Sequence, residues 1–181
     1  ESLGKHGILH RAGTTRGVMY DEVLRTPLII MHPYFNKPKT IKALVQSIDV
    51  MPTILDFLNV SIPAEASGVS LVPLIKEDVD RLHDYIFAGG NFTGSSIFPH
   101  STINSAIISE KFKLIYERSP YGAFNKLEIY DRQNDPEELF ERSSVRPDIV
   151  LAMKKMLVFW ENVTMNRNKM TEIGLSDEEF R

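Results

Sequence analysis

The residues of this chain best suited to chemistry crowd its first twenty positions. Glu1-Ser2-Leu3-Gly4-Lys5-His6-Gly7 is polar and punctuated by glycine, the make-up of an active-site loop. It offers a carboxylate, an ammonium and an imidazole, and His10 and Arg16 follow closely. Such side chains move protons near neutral pH and hold anions. A loop of this kind normally hangs off a strand, and no strand stands before Glu1. The chain is therefore expected to hold one wall of a site whose other wall lies outside it. Further along, His100 sits in the Phe92 to Ser101 stretch, rich in Gly, Ser and Thr, which makes it a candidate substrate contact and otherwise a surface residue. His32 and His83 read as structural or surface positions. Asp135-Pro136-Glu137-Glu138 looks functional but reads as a structural turn, because Asp before Pro favours a turn and acidic residues suit a first helical turn.

Composition narrows the partners. The chain has 181 residues, 43% hydrophobic and 25% charged, which is ordinary for a folded globular protein. A formal net charge of −3 provides no basic stripe, so nucleic acid is not expected as a partner. No apolar run approaches the roughly 20 residues needed to cross a bilayer. With no Cys, the chain itself carries no disulfide, thiolate metal site or cysteine nucleophile. None of this fixes a compartment. Asn91-Phe92-Thr93 and Asn162-Val163-Thr164 match the glycosylation acceptor pattern, which matters only for a secreted eukaryotic protein.

The elements that must position these residues fall into two parts. Tyr20-Asp21-Glu22-Val23-Leu24 reads as a helical turn running into Pro27. Leu28-Ile29-Ile30-Met31 is a continuous apolar run, expected to be a strand covered on both faces. A helix follows with Asp49 as N-cap and Pro52 in its first turn, and Val50, Ile54, Phe57 and Leu58 form its apolar stripe. Residues 1–80 are thus expected to form one α/β piece. Residues 81–165 are expected to form an antiparallel subdomain. Its strands are the runs at Tyr85–Ala88, Ala106–Ile108, Phe112–Tyr116 and Leu127–Tyr130. A helix starting near Pro147 brings Ile149, Met153, Met156, Leu157 and Trp160 to one face, as a core stripe. The polar tail, residues 166–181, is expected to be loosely held.

The order of motifs resembles the sulfatase family. Glu1-Ser2-Leu3-Gly4-Lys5-His6-Gly7 is similar to the stretch after that family's metal-binding Asp-His. Tyr20-Asp21-Glu22-Val23-Leu24-Arg25-Thr26-Pro27-Leu28-Ile29-Ile30 is similar to its Tyr-Asp/Glu-Glu helix and Arg-Val-Pro-Leu-Ile-Ile strand. Asp49-Val50-Met51-Pro52-Thr53-Ile54-Leu55, Gly68-Val69-Ser70-Leu71-Val72-Pro73-Leu74-Ile75, Lys111-Phe112-Lys113-Leu114-Ile115 and Ile129-Tyr130-Asp131-Arg132-Gln133-Asn134-Asp135-Pro136-Glu137-Glu138 continue the series in order. No one match is specific alone; their order is.

The resemblance implies part of an alkaline-phosphatase-like α/β/α sandwich with a C-terminal antiparallel-sheet subdomain and a packed helix. It also implies hydrolysis of sulfate esters on a small molecule or glycan. The family uses a formylglycine nucleophile beside a calcium ion, and a cation there neutralises ester oxygens and nucleophile together. This chain departs from the pattern. It has no Cys or Ser-x-Pro-x-Arg motif, and the Asp-His pair would lie just before Glu1. Formylglycine, calcium and every metal ligand are therefore expected outside it, in a missing N-terminal part of the same protein, and the chain alone is expected to be inactive. The resemblance leaves Arg16 as the candidate cation on the sulfate and leaving oxygen, with His10 as the alternative. Arg suits a tetrahedral dianion through its two-pronged donor fork; His suits protonation of the leaving group. His6, so near the metal loop, is expected to be structural rather than a ligand of that metal. Other readings are a phosphodiesterase, phosphonate hydrolase or phosphoglycerol transferase of the same superfamily, or a non-catalytic binding module.

Overall fold

The computed structural model describes residues 6, 19–33, 37–92, 102–119, 121–122 and 124–172. Two compact units divide the chain: Glu1–Arg25 together with Phe87–Arg181, and Thr26–Ile86.

The larger unit is built on a sheet of four strands in the order β1-β2-β3-β4: Tyr85–Phe92, Thr102–Ser109, Phe112–Arg118 and Asn125–Asp131. Adjacent β2, β3 and β4 pair antiparallel, with Ile107 opposite Leu114 and Leu114 opposite Ile129. This is the meander the sequence predicts, and the alternation along β3 shows why it holds. Leu114 and Tyr116 point to one face, where they join Ile107, Ile129, Met153 and Leu157 in one core. Ile115 points to the other, where it meets Met19, Tyr20, Ala106 and Tyr130. A strand covered on both faces reads as a nearly unbroken buried run, and β3 does so through Lys113–Glu117.

The first face is covered by helix α4, Pro147–Glu172, and the stripe Ile149, Met153, Met156, Leu157 and Trp160 packs there as expected. Trp160 also stacks on Phe87 at 5.2 Å. The helix runs beyond residue 165, into the stretch expected to be a loose tail. The second face is covered by the segment Met19–Leu24, whose last four residues form the helical turn α1, Asp21–Leu24. That segment belongs to the sheet unit rather than to the α/β piece in which the sequence placed it.

The smaller unit holds α2, Val50–Phe57, and α3, Val72–Ile75. Here the structure corrects two expectations. Leu28–Met31 forms no strand, and Ile29 and Met31 are 90% and 96% exposed. Strand backbone needs a neighbour to satisfy its N–H and C=O groups, and none pairs with this run among the described residues. The stripe on α2 is likewise open, with Ile54 and Leu58 more than half exposed.

Asp49 holds the position before α2 but does not cap it as expected. Its side chain makes no cap bond to α2. It is fully buried, takes the Gln46 and Val69 N–H groups at 2.8 and 3.0 Å, and meets His83 Nε2 at 2.9 Å. A buried carboxylate needs such partners on every lone pair. His83 is thereby structural, as read from sequence. The arrangement requires Gly68, because a Cβ there would come within 2.1 Å of the Ile48 carbonyl oxygen. Gly68→Ala is expected to cost about 2–3 kcal/mol in urea unfolding, since backbone must move to admit the methyl group. A loss below about 0.5 kcal/mol would show that this approach is looser than described.

Candidate functional site

One concentration of buried polar residues in the larger unit stands where α1 lies over β3; Ser105, Arg118 and Glu161 form another, between the sheet and α4. Lys113 is the second residue of β3, on the face turned toward α1, and its side chain is fully buried. Lys is rarely buried without partners, and here the ammonium has two. Asp21 Oδ1 lies 2.8 Å from Nζ and Glu138 Oε1 lies 2.7 Å from it. Glu138 also accepts the Asp21 N–H through Oε2 at 2.9 Å. One carboxylate thus holds both the side-chain partner and the backbone at the start of α1.

The turn that delivers Glu138 is the acidic run read from sequence as structural, and the structure bears this out. Asp135 is buried and takes the Leu139 and Phe140 N–H groups at 3.0 and 2.8 Å. Glu138 adopts a left-handed backbone, φ 56°, which is uncommon for a residue with a Cβ. That conformation aims its carboxylate into the core, and the ion pair with Lys113 offsets the strain.

The two carboxyls shift in opposite senses. Burial pushes the Glu138 carboxyl above its ordinary range, although Lys113 works against this. Burial also raises Asp21, yet the charge and hydrogen bond of Lys113, with Arg132 and Arg25 further off, hold its carboxyl below the usual range. Next to this pair, Tyr20 donates its phenol to Glu128 at 3.0 Å, and burial first, then the nearby carboxylates, pushes its ionisation well up. The phenol therefore stays neutral and acts as a donor.

His6 stacks on Tyr20 with ring centroids 3.8 Å apart and planes 5° from parallel. Its Nε2 lies 3.9 Å from Glu22 Oε2. The two ends of the 7–18 stretch, His6 and Tyr20, are therefore in contact. His10, Arg16 and His100 lie outside the described residues. What sequence reasoning missed is the pairing of Lys113 with Asp21 and Glu138. The available signal was a lysine interrupting the apolar run Phe112–Tyr116.

Calcium does not fit the described residues. It takes six to eight oxygen ligands, whereas His6, Glu22 and Glu138 offer one imidazole and two carboxylates, one of which already holds an ammonium.

Comparison with known proteins gives a coherent result. The family described as "N-sulphoglucosamine sulphohydrolase, C-terminal" matches residues 5–160. An N-acetylglucosamine-6-O-sulfatase of Bacteroides thetaiotaomicron is 32% identical over 139 residues, covering 76% of this chain and 24% of its own length. An arylsulfatase of Clostridium perfringens is 30% identical over 128 residues, covering 68% and 24%. A solved structure, described in connection with the metabolism of multiple glycosaminoglycans by B. thetaiotaomicron, superposes with a TM-score of 0.50 at 22% identity. It covers 61% of this chain and 25% of that one, and the likeness shows the fold. The chain spans about a quarter of the length of the curated relatives it matches.

Proposed function

Because the chain belongs to the N-sulphoglucosamine sulphohydrolase C-terminal family, we propose that it is the C-terminal part of a sulfatase acting on a sulfated sugar. The supporting observation is the family match across residues 5–160, which takes in the loop, α1, the sheet and most of α4. The name of the relative from B. thetaiotaomicron points to a sulfated glucosamine as the substrate class.

In this reading the reaction cleaves the S–O bond of a sulfate monoester with water, giving the alcohol and hydrogen sulfate. The formylglycine nucleophile and the calcium ion that the sulfatase resemblance implies are supplied by residues outside this chain. This chain contributes the substrate side. Arg16 binds the sulfate oxygens and stabilises charge as the leaving oxygen departs, with His10 as the alternative group near that oxygen. His100 contacts the sugar. The Lys113, Asp21 and Glu138 cluster carries no reacting atom; it fastens α1, and with it the C-terminal end of the loop, to β3.

The test is sulfate release by the full-length protein from glucosamine 6-sulfate and from an aryl sulfate, beside the matching phosphate esters. Sulfate esters are expected to be turned over at least about 100-fold faster, a difference of roughly 2.7 kcal/mol in barrier. Preference for phosphate would move the protein to the phosphodiesterase branch of the superfamily. No turnover of either would favour a binding module.

A further inference from the structure

One cluster brings ligand-type atoms together from three distant places in the chain. A ring nitrogen of His6 and a carboxylate oxygen from each of Glu22 and Glu138 all lie within 4.8 Å of one another. The side chains of His6 and Glu138 are only 8% and 2% exposed. His6 Nε2 is buried and has no hydrogen-bond partner among the described residues. A buried imidazole nitrogen left in that state has lost its water and gained nothing in return. It also has little freedom to turn away, because its ring lies flat against Tyr20.

We propose that His6, Glu22 and Glu138 bind a divalent transition-metal ion of the zinc class, as a structural tie between the three segments. One imidazole nitrogen with two carboxylate oxygens is a donor set zinc takes readily, with water in the fourth position. Ligand atoms around a tetrahedral zinc stand about 3.4 Å apart, so His6 Nε2 and Glu22 Oε2 need to close by only about half an ångström. Glu138 Oε1 holds Lys113 with one lone pair and keeps a second for the metal. The tie would join residue 6 and residue 22, on either side of the candidate loop, to the turn at residue 138, and so fix the base of that loop. It is distinct from the calcium of the sulfatase reading, and its test does not depend on activity.

The purified 181-residue chain is stripped of metal and titrated with zinc chloride, with calcium chloride as the control. Zinc at about a hundredfold excess over its Kd is expected to raise Tm by about 5–10 °C. Metal analysis after gel filtration should then find one zinc per chain. His6→Asn should abolish both effects. Glu22→Gln, which removes a ligand without touching Lys113, is the second variant should His6→Asn fail to fold, and it should weaken zinc binding at least about tenfold. The proposal is overturned if zinc leaves Tm of the unaltered chain unchanged, if calcium raises it equally, or if the folded variants keep the full zinc response.

Discussion

Lys113→Ala is expected to lower the unfolding free energy of the chain by about 3–5 kcal/mol, the usual cost of removing one partner from a buried ion pair. The charge is enclosed on every side, since the lysine side chain has no exposure and that of Glu138 only 2%. Removing the ammonium strands the Glu138 carboxylate in the core, leaves the partly exposed Asp21 without its partner, and opens a cavity where the lysine stem packed. The pH dependence separates this from simple loss of packing. In the intact protein Asp21 has a depressed carboxyl, so its contribution is present above the unfolded pKa, near 3.9, and is lost as pH falls through the folded value. Glu138 has a raised carboxyl, so its ionised form costs stability above the unfolded value and acid relieves that cost. Without Lys113 both carboxyls rise. The deficit of the variant should therefore be greatest at pH 7 and shrink toward pH 4, as both groups take up protons. A deficit below about 1 kcal/mol, or one independent of pH, would mean that the ammonium is not the partner these carboxylates need.

Arg16→Ala in the full-length protein is expected to lower kcat/KM for a sulfate ester by about 10²–10³-fold, the scale for losing one donor to a transition-state oxyanion. Arg16 stands four residues before the Tyr20-Asp21 pair and has the charge and donor geometry that a sulfate requires. As the S–O bond lengthens, negative charge grows on the leaving oxygen and stays on the sulfate, and a guanidinium can donate two hydrogen bonds to it at once. Arg16→Lys should recover part of the loss, because it keeps the charge and loses the fork. Unchanged kinetics would transfer the role to His10. In that case His10→Ala should lower the rate and flatten the limb of the pH profile that reports the general acid.

How far the sequence could be read depended on where each residue found its partners. The sheet was legible because β3 and α4 satisfy their periodicity within this chain, with Leu114 and Tyr116 on one face and Met153 and Leu157 meeting them. Leu28–Met31 misled because hydrophobicity alone proposes a strand, whereas strand structure requires a neighbour, and none of the described residues provides one. Asp49 was read from local rules as a helix cap. One of its partners, the Gln46 N–H, is local, but the other two, Val69 and His83, stand 20 and 34 residues away, and no local rule reaches that far. Lys113 was hidden for the same reason, since Glu138 lies on a turn whose left-handed backbone is not written in any short motif. The candidate site was legible only as chemistry: the types at His10, Arg16 and His100 suggest roles, while the residues the structure does bring together are those that anchor the segment after them.

The central claim is that this chain is one part of a sulfatase, whose nucleophile and calcium ligands lie elsewhere in the protein. The most direct measurement is sulfate release from an aryl sulfate by the 181-residue chain and by the full-length protein, each with and without added calcium. The account predicts calcium-dependent release by the full-length protein and none above background by the chain. Calcium-dependent turnover by the chain alone would contradict it.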